Sequence, residues 1–256
     1  MPAIQLSGLT KSYGEKEAVK SLAFSVNPGE IVGFLGPNGA GKSSTVKMLT
    51  CLIRPTSGSA SVAGFDILQD SLEVKRRIGY VPESGALFET LSPREYLEFV
   101  AELHHLDRRL ARQRAEEFLS LFGLWSDRDQ RLQEFSKGMK QKVLICAALL
   151  HRPEVLFLDE PLGGLDANAA SIFKEVLRQL AAQEKTIFFC SHILEVVEKF
   201  CQRIMIVDHG SLIADGTPAA IADANGVKTL EEAFCALTGV RNVKDSASDF
   251  LQAMEE

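Results

Sequence analysis

The rhythm of apolar and polar positions changes several times along the chain. Over the first 30 residues the two kinds alternate, as in Ser21-Leu22-Ala23-Phe24-Ser25-Val26, and the run closes at the turn Asn27-Pro28-Gly29. That pattern predicts an antiparallel sheet. Ile31-Val32-Gly33-Phe34-Leu35 is then continuously apolar, as expected of a strand buried on both faces. A helix from Gly41 to Leu52 and short strand segments around Ser59 to Ala63 should follow.

From about 84 to 150 the strands vanish and helical spacing takes over. The first helix of this insert has a marked start: Ser92 as N-cap, Pro93 at the first helical position, Glu95 completing a capping box and Leu91 placed to staple Tyr96. Phe99, Val100, Leu103 and Leu106 continue an apolar stripe that we assign to the core. After Glu154 strand and helix alternate again. Val155 to Leu158 and Thr186 to Cys190 flank a helical stretch from about Asn168 to Gln183, and strands around Arg203 to Val207 and Ser211 to Ala214 finish the core. The tail from Thr217 reads as helical. The division expected is one α/β domain over 1–217, with a helical subdomain at about 84–150, and a helical extension over 218–256.

Composition removes several classes of function. The longest apolar stretches, such as Val143 to Leu150, fall far short of the ~20 residues a membrane helix needs. The start Met1-Pro2-Ala3-Ile4-Gln5 lacks a basic region followed by an apolar core, so secretion is not expected. Cys51, Cys146, Cys190, Cys201 and Cys235 lie apart in apolar surroundings and read as small core residues in a reducing compartment. A net charge of −6 argues against a nucleic-acid partner, and the mixed-sign run from Asp107 to Glu117 reads as a solvated helix face.

The chemistry concentrates in two segments. Gly36-Pro37-Asn38-Gly39-Ala40-Gly41-Lys42-Ser43-Ser44 fits G-x-x-x-x-G-K-[ST] and sits between an apolar strand and a helix, so it reads as a phosphate-binding loop. The glycines let successive N–H groups face a phosphate, Lys42 would bridge the β- and γ-phosphates, and Ser43 would ligate Mg²⁺. Val155-Leu156-Phe157-Leu158-Asp159-Glu160-Pro161 is a strand delivering two carboxylates at its C-terminal end. Asp159 can hold magnesium through water while Glu160 orients and polarises an attacking water.

Together the two segments resemble the ATP-binding-cassette (ABC) family, the ATPase subunits of ABC transporters, and further stretches match in order. Phe135-Ser136-Lys137-Gly138-Met139-Lys140-Gln141 resembles the signature loop, keeping Ser136 and Gly138. Ile78-Gly79-Tyr80-Val81-Pro82-Glu83 resembles the Q-loop with Glu83 in place of glutamine, still able to ligate a metal. Gly163-Gly164-Leu165-Asp166 resembles the D-loop, Ser191-His192 the switch histidine that contacts the γ-phosphate, and Tyr13 the aromatic that stacks on adenine. Ser136 and Asp166 can each also cap the helix that follows.

The resemblance implies a P-loop NTPase fold and hydrolysis of ATP with Mg²⁺ by a dimer or pseudo-dimer of ATPase subunits. Membrane-spanning permease subunits would dock near Glu83 and the helical insert, placing the chain peripherally on the cytoplasmic face of the inner membrane. The signature variant, Glu83 and the segment Thr229 to Gly239 resemble export-type members. The alternatives are an importer ATPase and a soluble switch ATPase of iron–sulfur assembly, repair or translation.

Overall fold

The computed structural model describes residues 1–83 and 87–240. Strands β1 (Ile4–Tyr13), β2 (Lys16–Val26), β4 (Ser57–Val62) and β5 (Phe65–Asp66) form an antiparallel sheet in the order β2-β1-β4-β5. The second sheet runs β10-β9-β3-β8-β7-β6. In it β3 (Ile31–Leu35), β6 (Ile78–Val81), β7 (Val155–Asp159), β8 (Thr186–Cys190) and β9 (Arg203–Asp208) are parallel, and β10 (Ser211–Gly216) is an antiparallel edge. Because β3, β8, β7 and β6 are consecutive neighbours, the loops leaving their C-terminal ends emerge side by side. Those loops are the phosphate loop, Ser191-His192, Asp159-Glu160 and the segment entering Glu83. Ligands of open α/β sheets bind at such ends.

Continuous apolar runs make these strands central, since both faces must be covered. Side chains alternate between the two faces. Val32, Phe34, Phe157 and Phe188 join the core shared with the antiparallel sheet, while Leu35, Leu156, Leu158 and Phe189 join the core beneath the helices. Phe188 has the rings of Phe34 and Phe157 at 5.0 and 5.6 Å between centroids. Such pairs contribute about 0.5–1.5 kcal/mol each beyond area burial.

The phosphate loop leads into α1 (Lys42–Leu49), which ends earlier than the apolar pattern suggests: Thr50 closes it and Cys51 turns left-handed at φ 57°. Helix α2 (Ser71–Arg77) then returns the chain to β6. Three helices follow, α3 (Pro93–Leu103), α4 (Arg108–Leu121) and α5 (Lys137–Leu149), with short 3₁₀ turns at Trp125–Asp127 and Leu132–Glu134. The expected capping box is present. Ser92 Oγ accepts from Glu95 N at 3.3 Å, and Glu95 Oε2 accepts from Ser92 N at 2.8 Å.

The apolar stripe of α3 requires correction. Pro93, Leu97 and Ala101 are its buried positions, whereas Phe99 is 37 % and Leu103 62 % exposed. Val100 and Leu106 pack only partly against the core. Phe88 meets Phe99 edge-on at 5.4 Å and is itself exposed, so an aromatic cluster stands on the outside of α3. The cysteines need a similar adjustment: Cys146, Cys190 and Cys201 are buried, but Cys51 and Cys235 are half-buried.

Helices α6 (Ala167–Ala182) and α7 (Leu194–Phe200) cross between strands. After β10 come α8 (Pro218–Ala224), capped by Thr217, and α9 (Leu230–Thr238), closed by Gly239 at φ 67°. Leu230 and Ala233 of α9 reach the main core. The rest of the anticipated extension, 241–256, lies outside the described residues. Among those described, no helix is long and apolar enough to cross a membrane.

Candidate nucleotide site

Backbone geometry builds the phosphate loop. Gly41, the residue before α1, has φ 104°, and a Cβ there would stand 2.4 Å from Ala18 O. Glycine is therefore required both for the dihedral and for the approach of β2. With no side-chain cap and no acidic residue in its first turn, α1 presents free N–H groups and the positive end of its dipole to the loop. Lys42 Nζ donates to Gly36 O at 2.6 Å and to Pro37 O at 3.1 Å, folding its cation over the loop. Thr45 Oγ1 donates to Gly41 O at 2.9 Å and ties the first turn down.

A cleft of about 320 Å³ opens above this loop. Asn38, Gly39 and Gly41 to Ser44 form its floor; Glu83, Asp159, Glu160 and His192 form one wall and Tyr13 the other. Tyr13 is half exposed, with its hydroxyl 3.4 Å from Ser44 Oγ. Gly36, Pro37 and Ala40 do not line the cleft. Pro37 and Ala40 instead border a neighbouring hollow with Asp208 and His209.

Two lining residues, Lys16 and Ala18, carry no motif signal. The register Tyr13↔Lys16 of the β1–β2 hairpin places a cation directly beside the aromatic wall. Lys16 was legible only through that hairpin, whose turn is Gly14-Glu15.

The carboxylates differ sharply. Asp159 ends β7 and is buried, and its pKa is raised to about 6 by desolvation, then by Glu83 and Glu160, with Lys42 acting in the opposite direction. Burial, with Asp159 second, also raises the Tyr80 phenol to about 12. Glu160 lies past the strand end in the left-handed region at φ 49°, held by Glu160 N donating to Cys190 O at 2.9 Å. Such a conformation costs about 1–2 kcal/mol for a residue other than glycine. It aims the carboxylate across the sheet to the loop after β8. There Ser191 Oγ donates to Oε2 at 3.1 Å, His192 N donates to Oε1 at 2.6 Å, and His192 Nδ1 lies 2.7 Å from Oε1.

Ser136, Gly138 and Asp166 are not brought into this cleft. Ser136 Oγ caps α5 by accepting from Met139 N at 3.2 Å, and Asp166 Oδ1 caps α6 by accepting from Ala169 N at 2.8 Å. The two loops lie against each other. A Cβ at Gly138 would be 2.2 Å from Gly164 O, Gln141 Nε2 donates to Pro161 O at 3.1 Å, and Lys142 Nζ pairs with Asp166 Oδ2 at 2.8 Å. The pair and the cap hold the Asp166 carboxyl below its usual range, the Lys142 hydrogen bond being the larger cause.

A glycine loop at a helix start, an aromatic wall and two differently placed carboxylates at the ends of parallel strands meet in one cleft, the arrangement a nucleotide-binding ATPase requires. The family model described as ABC transporter matches residues 19–163. Among curated proteins, the linearmycin resistance ATP-binding protein LnrL of Bacillus subtilis is 39 % identical over 89 % of this chain and 73 % of its own length. Nod factor export ATP-binding protein I of Paraburkholderia xenovorans is 37 % identical over 90 % of the chain and 76 % of its own. A solved ATP-binding subunit of an ABC transporter superposes with a TM-score of 0.87 at 31 % identity, covering 92 % of this chain and 99 % of that one. A dimeric ATP-binding cassette solved in a post-hydrolysis state with ADP and Pi gives 0.77 at 26 % identity, over 84 % and 98 %. The chain belongs to the ABC transporter family and is an ATP-binding, ATP-hydrolysing subunit similar to those of export-type transporters.

Proposed function

We propose that two copies of this cassette, or one copy and a related one, close around two ATP molecules with Mg²⁺ and drive separate permease subunits in export. The observation that carries the catalytic part is Glu160, whose carboxylate is held by Ser191 and His192 at the wall of the cleft that contains the phosphate loop.

In this reading Tyr13 stacks on the base and the N–H groups at the start of α1 hold the phosphates. Lys42 leaves the Gly36 and Pro37 carbonyls for the β- and γ-phosphates. Glu160 accepts a proton from water as the water oxygen bonds to the γ-phosphorus and the bond to the β,γ-bridging oxygen breaks, giving ADP and inorganic phosphate. His192 turns from Glu160 toward the γ-phosphate. Ser43, Asp159 and Glu83 offer only oxygen donors in the cleft, and no cluster of three or more metal-binding side chains is present among the described residues. That donor set suits Mg²⁺, which keeps waters and phosphate oxygens as most of its ligands. When bound, the ion neutralises charge developing on the phosphates.

Ser136, Gly138 and Asp166, which lie outside the cleft of their own chain, would complete the site of the other copy. The dimeric relative with ADP and Pi supports this arrangement. Exposed Phe88, Phe99 and Leu103, which begin five residues beyond Glu83, offer an apolar face for the permease. Docking there would hold the chain at the cytoplasmic face of the inner membrane. The reading is tested by Glu160→Gln, which should keep ATP affinity within about threefold and lower turnover at least ~100-fold. Unchanged turnover would remove Glu160 from the reaction.

A further inference from the structure

Helix α4, the end of α5 and α6 enclose a groove of about 510 Å³ that shares no residue with the nucleotide cleft. Its walls are apolar, formed by Phe118, Leu121, Leu149, Val176 and Leu180, and Leu121 is 48 % exposed. Its rim is basic. Arg114, Arg152 and Lys185 line it with one carboxylate, Glu117, which accepts from Gln113 Nε2 at 2.9 Å.

The cations lack the partners that normally justify such a gathering. Among the described residues none of the three forms an ion pair. Arg114 is fixed by donating from Nη1 to Leu150 O at 2.8 Å. Burial, and then Arg152, lower its pKa, with Glu117 opposing. Arg152 is held left-handed at φ 55° immediately before Pro153, a position that disfavours helical dihedrals. Like charges collected beside apolar walls, one of them on a strained backbone, are stabilised by an anion with an apolar body.

We propose that this groove binds a single-chain amphiphilic anion, an acyl carboxylate whose head group meets Arg152, Arg114 and Lys185 and whose tail lies along Phe118, Leu121 and Leu180. The volume belongs to the range of small-molecule pockets, which favours a small amphiphile over a segment of another protein. The bound molecule would bridge α4 and α6, and so tie the helical insert to the sheet.

The test is calorimetric titration of the full chain with laurate below its micelle concentration, beside dodecyl maltoside and dodecyltrimethylammonium, which share the tail and differ in the head group. Saturable one-to-one binding of laurate, at least tenfold tighter than either comparison, is expected. Arg152→Asn, which removes the cation and tolerates the left-handed turn, should weaken laurate at least fivefold. Lys185→Gln should act in the same direction. ATP affinity and basal ATP turnover should stay unchanged in both variants. Equal affinity for the three head groups would overturn the proposal, as would laurate affinity unaltered by both substitutions. Absence of saturable laurate binding would assign the face to some other partner and equally overturn it.

Discussion

The nucleotide cleft and the outer face of α3 expose groups for opposite reasons. In the cleft the cation and the carboxylate that matter most already have partners within the chain: Lys42 lies on the Gly36 and Pro37 carbonyls, and Glu160 on Ser191 and His192. Ligand binding there exchanges one set of polar contacts for another. Beside and on α3, Phe88, Phe99 and Leu103 are exposed, and Phe88 has the rings of Phe99 and Tyr96 at 5.4 and 6.5 Å between centroids. Those side chains gain by being covered. Under the proposed function, chemistry occupies the sheet ends and the insert offers its exposed apolar face to the permease.

Substitutions can separate these two regions. Lys42→Ala should have the largest effect, lowering ATP turnover at least ~100-fold and weakening ATP binding, because it removes the one lysine of the phosphate loop. Equilibrium titration and steady-state assays would show it, and retained turnover would contradict the role of the loop. Within α3, Leu97→Ala should cost about 2–4 kcal/mol in urea unfolding, whereas Leu103→Ala should cost under about 0.5 kcal/mol and reduce only coupling to the permease. Equal costs would erase the distinction between core and docking face.

Asp159→Asn probes the electrostatics of the cleft. With a folded pKa near 6 against an ordinary 3.8, the folded state binds the extra proton between those values. Its contribution is therefore favourable at low pH and is lost as pH rises through about 6. Nucleotide-free Asp159→Asn should be more stable than the parent at pH 7.5 by about 1–2 kcal/mol, and this advantage should shrink toward pH 4. Parallel urea curves at the two pH values would measure it. Ser92→Ala is expected to cost about 1 kcal/mol through loss of the α3 cap without altering ATP turnover.

What could be read in the sequence follows the range of the interactions. The phosphate loop, the carboxylate pair and the caps at Ser92, Ser136 and Asp166 depend on residue types at fixed short spacing, and all are present as elements of the structure. The stripe on α3 was misassigned because helical periodicity identifies an apolar face but not what covers it. Lys16 depended on hairpin register, and the pairing of Lys142 with Asp166 joins residues 24 apart in sequence. His104 and His151, which matched no motif, stack at 3.7 Å, and burial lowers the pKa of both, that of His151 to about 4. That contact joins the end of α3 to the turn after α5 and has no local signature.

The central claim is that two cassettes, each with its own Glu160, enclose ATP between them. Sedimentation velocity of Glu160→Gln with saturating ATP and Mg²⁺ tests it most directly. The account predicts a dimer that forms with ATP and reverts to monomer with ADP. A chain that stays monomeric at saturating ATP, or a dimer indifferent to the nucleotide, would contradict it.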